Sequence, residues 1–132
     1  MKIVADANTF LAVAMNEPEK PALIRTTYGH QLIAPEVLPY EIGNALTAML
    51  KKGAVASSEV ERVWDTVRRI PVELRPIDMR EALRLAVRFQ IYAYDAYYLE
   101  CAWSGRLPLL TLDRGMKHCA RQLDVQVLEV RP

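Results

Sequence analysis

The chain is expected to be an α/β domain built on a parallel sheet, and three observations predict it. Short β-rich apolar runs alternate with amphipathic stretches of helical period along the whole length, as in successive βαβ units. The 132 residues suit one core, and a domain of that size buries about two-thirds of its unfolded surface without a disulfide or metal staple. Hydrophobic residues make up 52% and charged residues 25%, which excludes a disordered chain. No linker, repeat or charge block divides the sequence, so residues 1–132 are read as one domain.

The elements follow in order. Met1–Ala5 is a first strand ending at Asp6, followed by helices over Thr9–Met15 and Glu19–Tyr28. Gln31–Ala34 is a second strand closed by Pro35. Leu38–Lys52 carries Leu38, Ile42, Ala45, Leu46 and Met49 on one helical face, with lysines at its C-terminal end and Gly53 as its stop. Ser58 and Glu61 have capping-box spacing and open a helix that Pro71 ends. Val72–Pro76 is a third strand. Asp78 caps a helix with Met79, Ala82, Leu83, Ala86 and Val87 on its apolar face and Arg80, Arg84 and Arg88 opposite. Ala93–Ser104 is apolar nearly all round, so it is expected to be buried, with Gly105 as its stop. Leu109–Leu112 is a fourth strand, Gly115–Leu123 a helix and Val125–Val130 a fifth strand.

Composition also bounds the function. The formal net charge is +1, from 17 basic and 16 acidic residues, far from the basic excess of a protein that holds nucleic acid by bulk charge. A polyanionic substrate would therefore need a local patch or bound cations. Cys101 and Cys119 form neither a CxxC motif nor a secreted disulfide framework. The N-terminus has too short an apolar run for a signal peptide, and no stretch reaches membrane-span length. These features predict a cytoplasmic protein with reduced thiols and no membrane partner.

In open parallel sheets, ligands bind beyond the carboxyl ends of the strands. Asp6 ends the first strand and Asp113 follows the fourth, each just before a helix. Either could be only a helix cap, the role assigned to Asp78. Glu41 and Asp95 are harder to dismiss. Glu41 lies beside Ile42 and shares a face with Ala45, and Asp95 shares a face with Leu99 and Ala102. A carboxylate on an apolar helix face costs several kcal/mol unless it is paired, and neither acid has a cation within one turn. Were the four to converge, two charges 4 Å apart would repel by about 4 kcal/mol at an effective dielectric of 20. A cation would be required, and all-oxygen ligation selects Mg²⁺ or Mn²⁺. Such an ion suits phosphodiester hydrolysis, since it activates water and neutralises charge on the phosphorane.

At these residues the sequence resembles the PIN-domain ribonucleases, and among them the VapC-type toxins of VapBC toxin–antitoxin pairs. Val4-Ala5-Asp6-Ala7-Asn8 is similar to the first motif of that family. Pro35 to Glu41, with Asn44 and Leu46, is similar to the second. Tyr94-Asp95-Ala96-Tyr97-Tyr98-Leu99 is similar to the third and is the most specific string. Thr111-Leu112-Asp113-Arg114 is similar to the fourth. The resemblance implies a three-layer α/β/α fold with a five-stranded parallel sheet in order 3-2-1-4-5. It implies endoribonuclease activity dependent on Mg²⁺ or Mn²⁺, with Asp6, Glu41, Asp95 and Asp113 as catalytic, metal-binding acids. Asn8 and Thr111 map onto polar residues that hold the pocket in place. By the same resemblance the substrate is RNA, the protein forms a homodimer, and an antitoxin inhibits it by filling the acidic groove. Ala7 stands where many members carry Thr or Ser, and no acid follows in Arg114 to Lys117, where some members have one.

Two alternatives accompany this reading. One is a catalytically inactive PIN module that binds RNA or protein partners. The other is a receiver-like phospho-signalling domain, against which Asp6 lacks an acidic neighbour and the last strand ends in Arg131-Pro132 rather than a lysine. A haloacid-dehalogenase-type phosphatase would need Asp where Asn8 stands. Tyr92, Tyr94, Tyr97 and Tyr98 are read as core or subunit packing rather than base-stacking residues. The arginine row is read as a solvated face. His30 and His118 lack ligand spacing.

Overall fold

A computed structural model describes residues 1–130; Arg131 and Pro132, and with them the expected end of the last strand, lie outside the described residues. The sheet is parallel, in the order β3-β2-β1-β4. Its strands are β1 (Lys2–Ala5), β2 (Gln31–Pro35), β3 (Glu73–Arg75) and β4 (Leu109–Leu110). Seven helices accompany them among the described residues: α1 (Ala7–Ala14), α2 (Lys20–Thr27), α3 (Leu38–Lys51), α4 (Ser57–Arg68), α5 (Met79–Phe89), α6 (Ala93–Gly105) and α7 (Arg114–Gln122).

The central strand explains itself by composition. Ile3, Val4 and Ala5 are fully buried, as expected of a strand covered by helices on both faces, where a continuous apolar run replaces alternation. Lys2, Ile3 and Val4 pair with Gln31, Leu32 and Ile33 of β2. On the other side, Val4 and Ala5 pair with Leu109 and Leu110 of β4. Phe10, Leu23, Ile42, Leu46, Val63, Val67, Ala96, Leu99 and Ala120 bring the helices onto this sheet in one core.

The expected fifth strand is reduced to a single parallel bridge between Leu109 and Val127. Leu109 N–H donates to Gln126 O at 2.9 Å, and Leu128 N–H donates to Leu109 O at 3.0 Å. Its location beside β4 matches the expected order. Pairing stops there because β4 is only two residues long, and its continuation, Thr111 to Asp113, turns into the site described below.

Two further expectations are corrected. The start of α4 is fixed not by Ser58 and Glu61 but two residues earlier, where the Glu59 carboxylate accepts from Ala56 N–H at 3.0 Å. Ala56 has no side-chain oxygen, so only half of a capping box is present. In α5 the buried residues are Ala82 and Leu85, whereas Met79, Leu83 and Val87 are 46%, 48% and 78% exposed. The helix packs against α6 and buries the side that carries Ala82 and Leu85. Its larger apolar stripe faces outward beside Arg80, Arg84 and Arg88 and lines a shallow surface depression with them. Helix α6 is buried through its middle, from Tyr98 to Ala102. Cys101 and Cys119 are both buried free thiols.

Candidate functional site

The site begins with the register of β1 against β4. Ala5 is opposite Leu110, so the next residues, Asp6 and Thr111, leave the sheet side by side at its carboxyl edge. Both are buried, Asp6 to 4% exposure and Thr111 to 0%. Asp6 is the N-cap of α1, and its Oδ1 accepts from Thr9 N–H at 3.0 Å and from Thr9 Oγ1–H at 2.7 Å. Its second oxygen, Oδ2, accepts a short hydrogen bond from the Thr111 hydroxyl, across 105 positions of sequence. Three donors therefore fix this carboxylate in one orientation.

Thr111 in turn accepts from Asp113 N–H at 3.1 Å. Asp113 caps α7, with its Oδ1 accepting from Met116 N–H at 2.9 Å. Its side chain is exposed and faces the buried acids as a like charge. Glu41 enters from the first turn of α3 and Asp95 from the first turn of α6; both are half-buried. Glu41 Oε1 is buried with no hydrogen-bond partner among the described residues, as is the hydroxyl of Tyr98, which lies one helical turn beyond Asp95.

The electrostatics tie the four acids together. Burial holds the Asp6 carboxyl above the usual carboxylate range, and the charge of Asp113 adds to the rise, against the lowering effect of the hydrogen bonds from Thr111 and Thr9. Burial raises Glu41 most, and the charges of Asp6 and Asp95 raise it further, while Tyr98 works in the opposite direction. Asp95 is raised by burial and then by Asp113 and Asp6. No lysine or arginine contributes to any of the three. Among the described residues, ion pairs join Arg62 to Glu59, Arg75 to Glu73, Arg84 to Glu81, and Lys117 and Arg121 to Glu129; none takes a site carboxylate.

Four segments far apart in sequence thus bring like charges to one corner of the sheet. Among the described residues, no three of their side chains close into a ready ligand set. Uncompensated carboxylates resist that approach, at a cost of about 4 kcal/mol for a pair at 4 Å and an effective dielectric of 20. The unpartnered buried Glu41 oxygen and the all-carboxylate donor set fit a hard divalent cation.

Asn8 is exposed on α1, and it is Thr9 that holds Asp6. The signal for Thr9 was present in the sequence, since Asp followed three residues later by Thr is the spacing at which a cap meets an N3 backbone donor and hydroxyl. Tyr98 was set aside with the other tyrosines. Burial separates them, because Tyr98 is 1% exposed while Tyr92 is 84% and Tyr94 38% exposed.

Comparison with known proteins gives a consistent picture. A model of the PIN domain matches residues 3–122. The chain is 28% identical over 121 residues to Ribonuclease VapC3 of Pyrobaculum aerophilum, covering 88% of this chain and 92% of that protein. It is 27% identical over 111 residues to Ribonuclease VapC9 of Mycobacterium tuberculosis, covering 84% and 85%. Among solved structures it is similar to PAE2754 from Pyrobaculum aerophilum, with a TM-score of 0.68, 26% identity and coverage of 90% and 87%. VapBC2 from Rickettsia felis, solved bound to a DNA fragment from its promoter, gives a TM-score of 0.66 at 9% identity over 98% of each chain. That last likeness bears on the fold alone.

Proposed function

The chain belongs to the PIN domain family, and from that premise we propose that it is a metal-dependent endoribonuclease, the toxin of a toxin–antitoxin pair. The curated relatives are VapC ribonucleases, matched over most of their length, which supports RNA as the substrate and a cognate antitoxin as the partner. The observation that carries the chemistry is the influence of the site acids on one another: Asp113 raises Asp6, Asp113 and Asp6 raise Asp95, and Asp6 and Asp95 raise Glu41, with no lysine or arginine among the causes for these three.

Asp6, Glu41, Asp95 and Asp113 would hold a divalent ion, Mg²⁺ or Mn²⁺. When bound, the ion supplies an activated water and neutralises charge on the scissile phosphate. The protein's part is preorganisation. Thr9 and Thr111 lock Asp6, and Thr111 couples that carboxylate to the backbone of Asp113. Glu41 and Asp95 are delivered by the rigid first turns of α3 and α6. With a net charge of only +1, the chain depends on the bound cation rather than on bulk charge to attract a polyanion.

No described helix is long and apolar enough to cross a membrane, which fits action on RNA in the cytoplasm. Met79, Leu83 and Val87 form an outward apolar stripe, and the homodimer implied by the family resemblance would need such a surface to bury.

The test is cleavage of RNA by the purified protein. Cleavage is expected with Mg²⁺ or Mn²⁺, and it should fall to background in excess EDTA and in Asp6→Asn and Asp95→Asn variants that keep the native circular dichroism spectrum. Full cleavage by either variant, or by the wild type in EDTA, overturns the reading. A folded wild type that binds RNA but never cleaves it would instead favour a binding-only PIN module.

A further inference from the structure

We infer that the depression framed by Tyr40 and Tyr97, at the carboxyl edge of β2 and β3, is a nucleobase subsite that stacks one unpaired base of the RNA beside the four acids. The inference rests on the reading of the chain as a nuclease acting on RNA, and it names a grip on that substrate outside the acids themselves.

The depression is built by the elements that deliver the acids. Tyr40 lines it from α3, where it directly precedes Glu41, and Tyr97 lines it from α6, two residues past Asp95. Glu36 and Ile77 line it from the segments that follow β2 and β3, with Met79 at the start of α5. Its volume is about 380 Å³, at the small end of ligand pockets, which span about 300–1,000 Å³. The two segments after the strands are tied together, since Glu36 N–H donates to Arg75 O at 2.8 Å. The parallel sheet puts every carboxyl end on one edge. Asp6 follows β1, Glu36 follows β2 and Ile77 lies just beyond β3. Neighbouring strands are about 4.8 Å apart, so the depression opens about 5–10 Å from Asp6 along that edge. One nucleotide spans such a distance from phosphate to base.

The two rings suit stacking. Tyr97 is half-buried, packs on the core and is braced edge-on by Tyr94, with centroids 6.0 Å apart and planes at 83°. It is a fixed platform. Tyr40 is 75% exposed, so a base set against it would cover a ring that otherwise faces water. Glu36 is exposed and takes part in none of the ion pairs among the described residues. Its carboxylate is therefore free to accept from base N–H groups. An unpaired base offers both a π-face and N–H donors, and splayed bases on aromatic side chains are the usual means of reading single-stranded RNA. An apolar peptide side chain would fill the same space and leave the carboxylate without use.

The experiment compares wild type with Tyr40→Ala, Tyr40→Phe and Tyr28→Ala. Tyr28 is an exposed tyrosine that precedes β2 and so lies toward the opposite edge of the sheet. Fluorescence anisotropy reads binding of a short fluorescein-labelled single-stranded RNA of randomised sequence, and of an abasic ribose-phosphate chain of the same length. Both are measured in Ca²⁺, an oxygen-seeking cation that can neutralise the acids. Stacking of one base on an aromatic ring is worth about 5- to 150-fold in affinity. Tyr40→Ala should lose about that factor for RNA and nothing for the abasic chain. Tyr40→Phe keeps the ring and should bind RNA as the wild type does, as should Tyr28→Ala. Irradiation of the wild type with the same RNA carrying 5-iodouridine should crosslink the peptide that holds Tyr40 or Tyr97. An equal loss for RNA and the abasic chain marks a structural role and overturns the inference. Unchanged RNA affinity in Tyr40→Ala overturns it too, and if sedimentation velocity then shows that variant losing a second copy, the depression belongs to a protein interface. Crosslinks confined to other peptides, or a wild type that binds no RNA, also overturn it. Cleavage in Mn²⁺ is read separately. A wild type with this base-dependent binding that never cleaves fells the nuclease reading and keeps the subsite; one that cleaves without any dependence on Tyr40 keeps the nuclease and fells the subsite.

Discussion

Thr111→Val isolates the hydrogen bond on which the geometry of Asp6 depends. Valine has nearly the shape of threonine, so the fully buried site keeps its packing and loses only the hydroxyl. That hydroxyl donates to Asp6 Oδ2 and accepts from Asp113 N–H. A hydrogen bond to an ionised group contributes about 1.5–3 kcal/mol and a neutral one about 0.5–1.5 kcal/mol. Asp113 N–H is only partly buried and can turn to water, so most of the loss comes from Asp6. The expected destabilisation is about 2–4 kcal/mol at pH 8 by urea denaturation in EDTA, with an unchanged m-value. It should shrink toward about 1 kcal/mol as the pH falls through the raised Asp6 pKa, because a protonated Asp6 loses the charge-assisted part of the bond. Thr111→Ser keeps the hydroxyl, and its smaller loss should not depend on pH. A Thr111→Val destabilisation below 1 kcal/mol at pH 8, or one that is flat with pH, would refute the claim that this contact restrains an ionised carboxylate.

Two other predictions concern pH and association. Asp6, Glu41 and Asp95 all have folded-state pKa values raised above those of free carboxylates. The folded protein then binds protons more tightly than the unfolded chain, so metal-free stability should be greatest at acid pH and fall as pH rises from about 4 through the raised values. Millimolar Mn²⁺ should restore stability at pH 8, and differential scanning fluorimetry in EDTA and in Mn²⁺ reads both effects; curves that rise with pH in EDTA would contradict the site electrostatics. Leu83→Glu places a charge in the exposed α5 stripe. If that stripe joins two copies, losing about 1.5–3 kcal/mol of burial per leucine at each of two symmetric contacts should shift sedimentation velocity from dimer toward monomer, with the fold intact; an unchanged sedimentation coefficient would place the association elsewhere.

The fold was legible wherever a residue's neighbours in sequence decide its state. The buried central run Ile3 to Ala5 and the Asp78 cap, whose side chain accepts from Glu81 N–H at 3.1 Å, needed no tertiary information. What periodicity could not decide was which of two apolar stripes on α5 faces inward. Ala82 and Leu85 are the buried side, which leaves Met79, Leu83 and Val87 outside. The length of the fifth strand depended on how far β4 continues, and β4 is only two residues long. In the site, the four acids were visible as carboxylates at strand ends and on apolar helix faces. Thr9 was overlooked in favour of its neighbour Asn8, and Tyr98 was hidden among tyrosines that only burial tells apart. Glu100 was not singled out either. It is 4% exposed, and its neighbours are Ser104 on its own helix and the backbone of Asp78, a contact across helices that no local pattern marks.

The ambiguity over aspartates that precede helices resolves into a point about geometry. Asp6, Asp78 and Asp113 all cap helices, each through Oδ1 to a backbone N–H three residues on. In sequence, capping and site chemistry look like competing explanations. In space they use different atoms, since a cap consumes one carboxylate oxygen and leaves the other to be placed. What separates Asp6 and Asp113 from Asp78 is where that second oxygen is carried. Asp6 and Asp113 follow β1 and β4, adjacent strands of one parallel sheet, so their helices start at the same edge and Asp6 feels the charge of Asp113. Asp78 follows β3 at the far side of the sheet, and the acids that sense it are instead Glu100 and its surroundings. The cap also helps the site, because a helix N-terminus favours a carboxylate by about 0.3–1 kcal/mol, offsetting part of the cost of holding Asp6 buried and ionised. A helix start placed after a central strand is therefore both the reason an aspartate is tolerated there and the device that aims it.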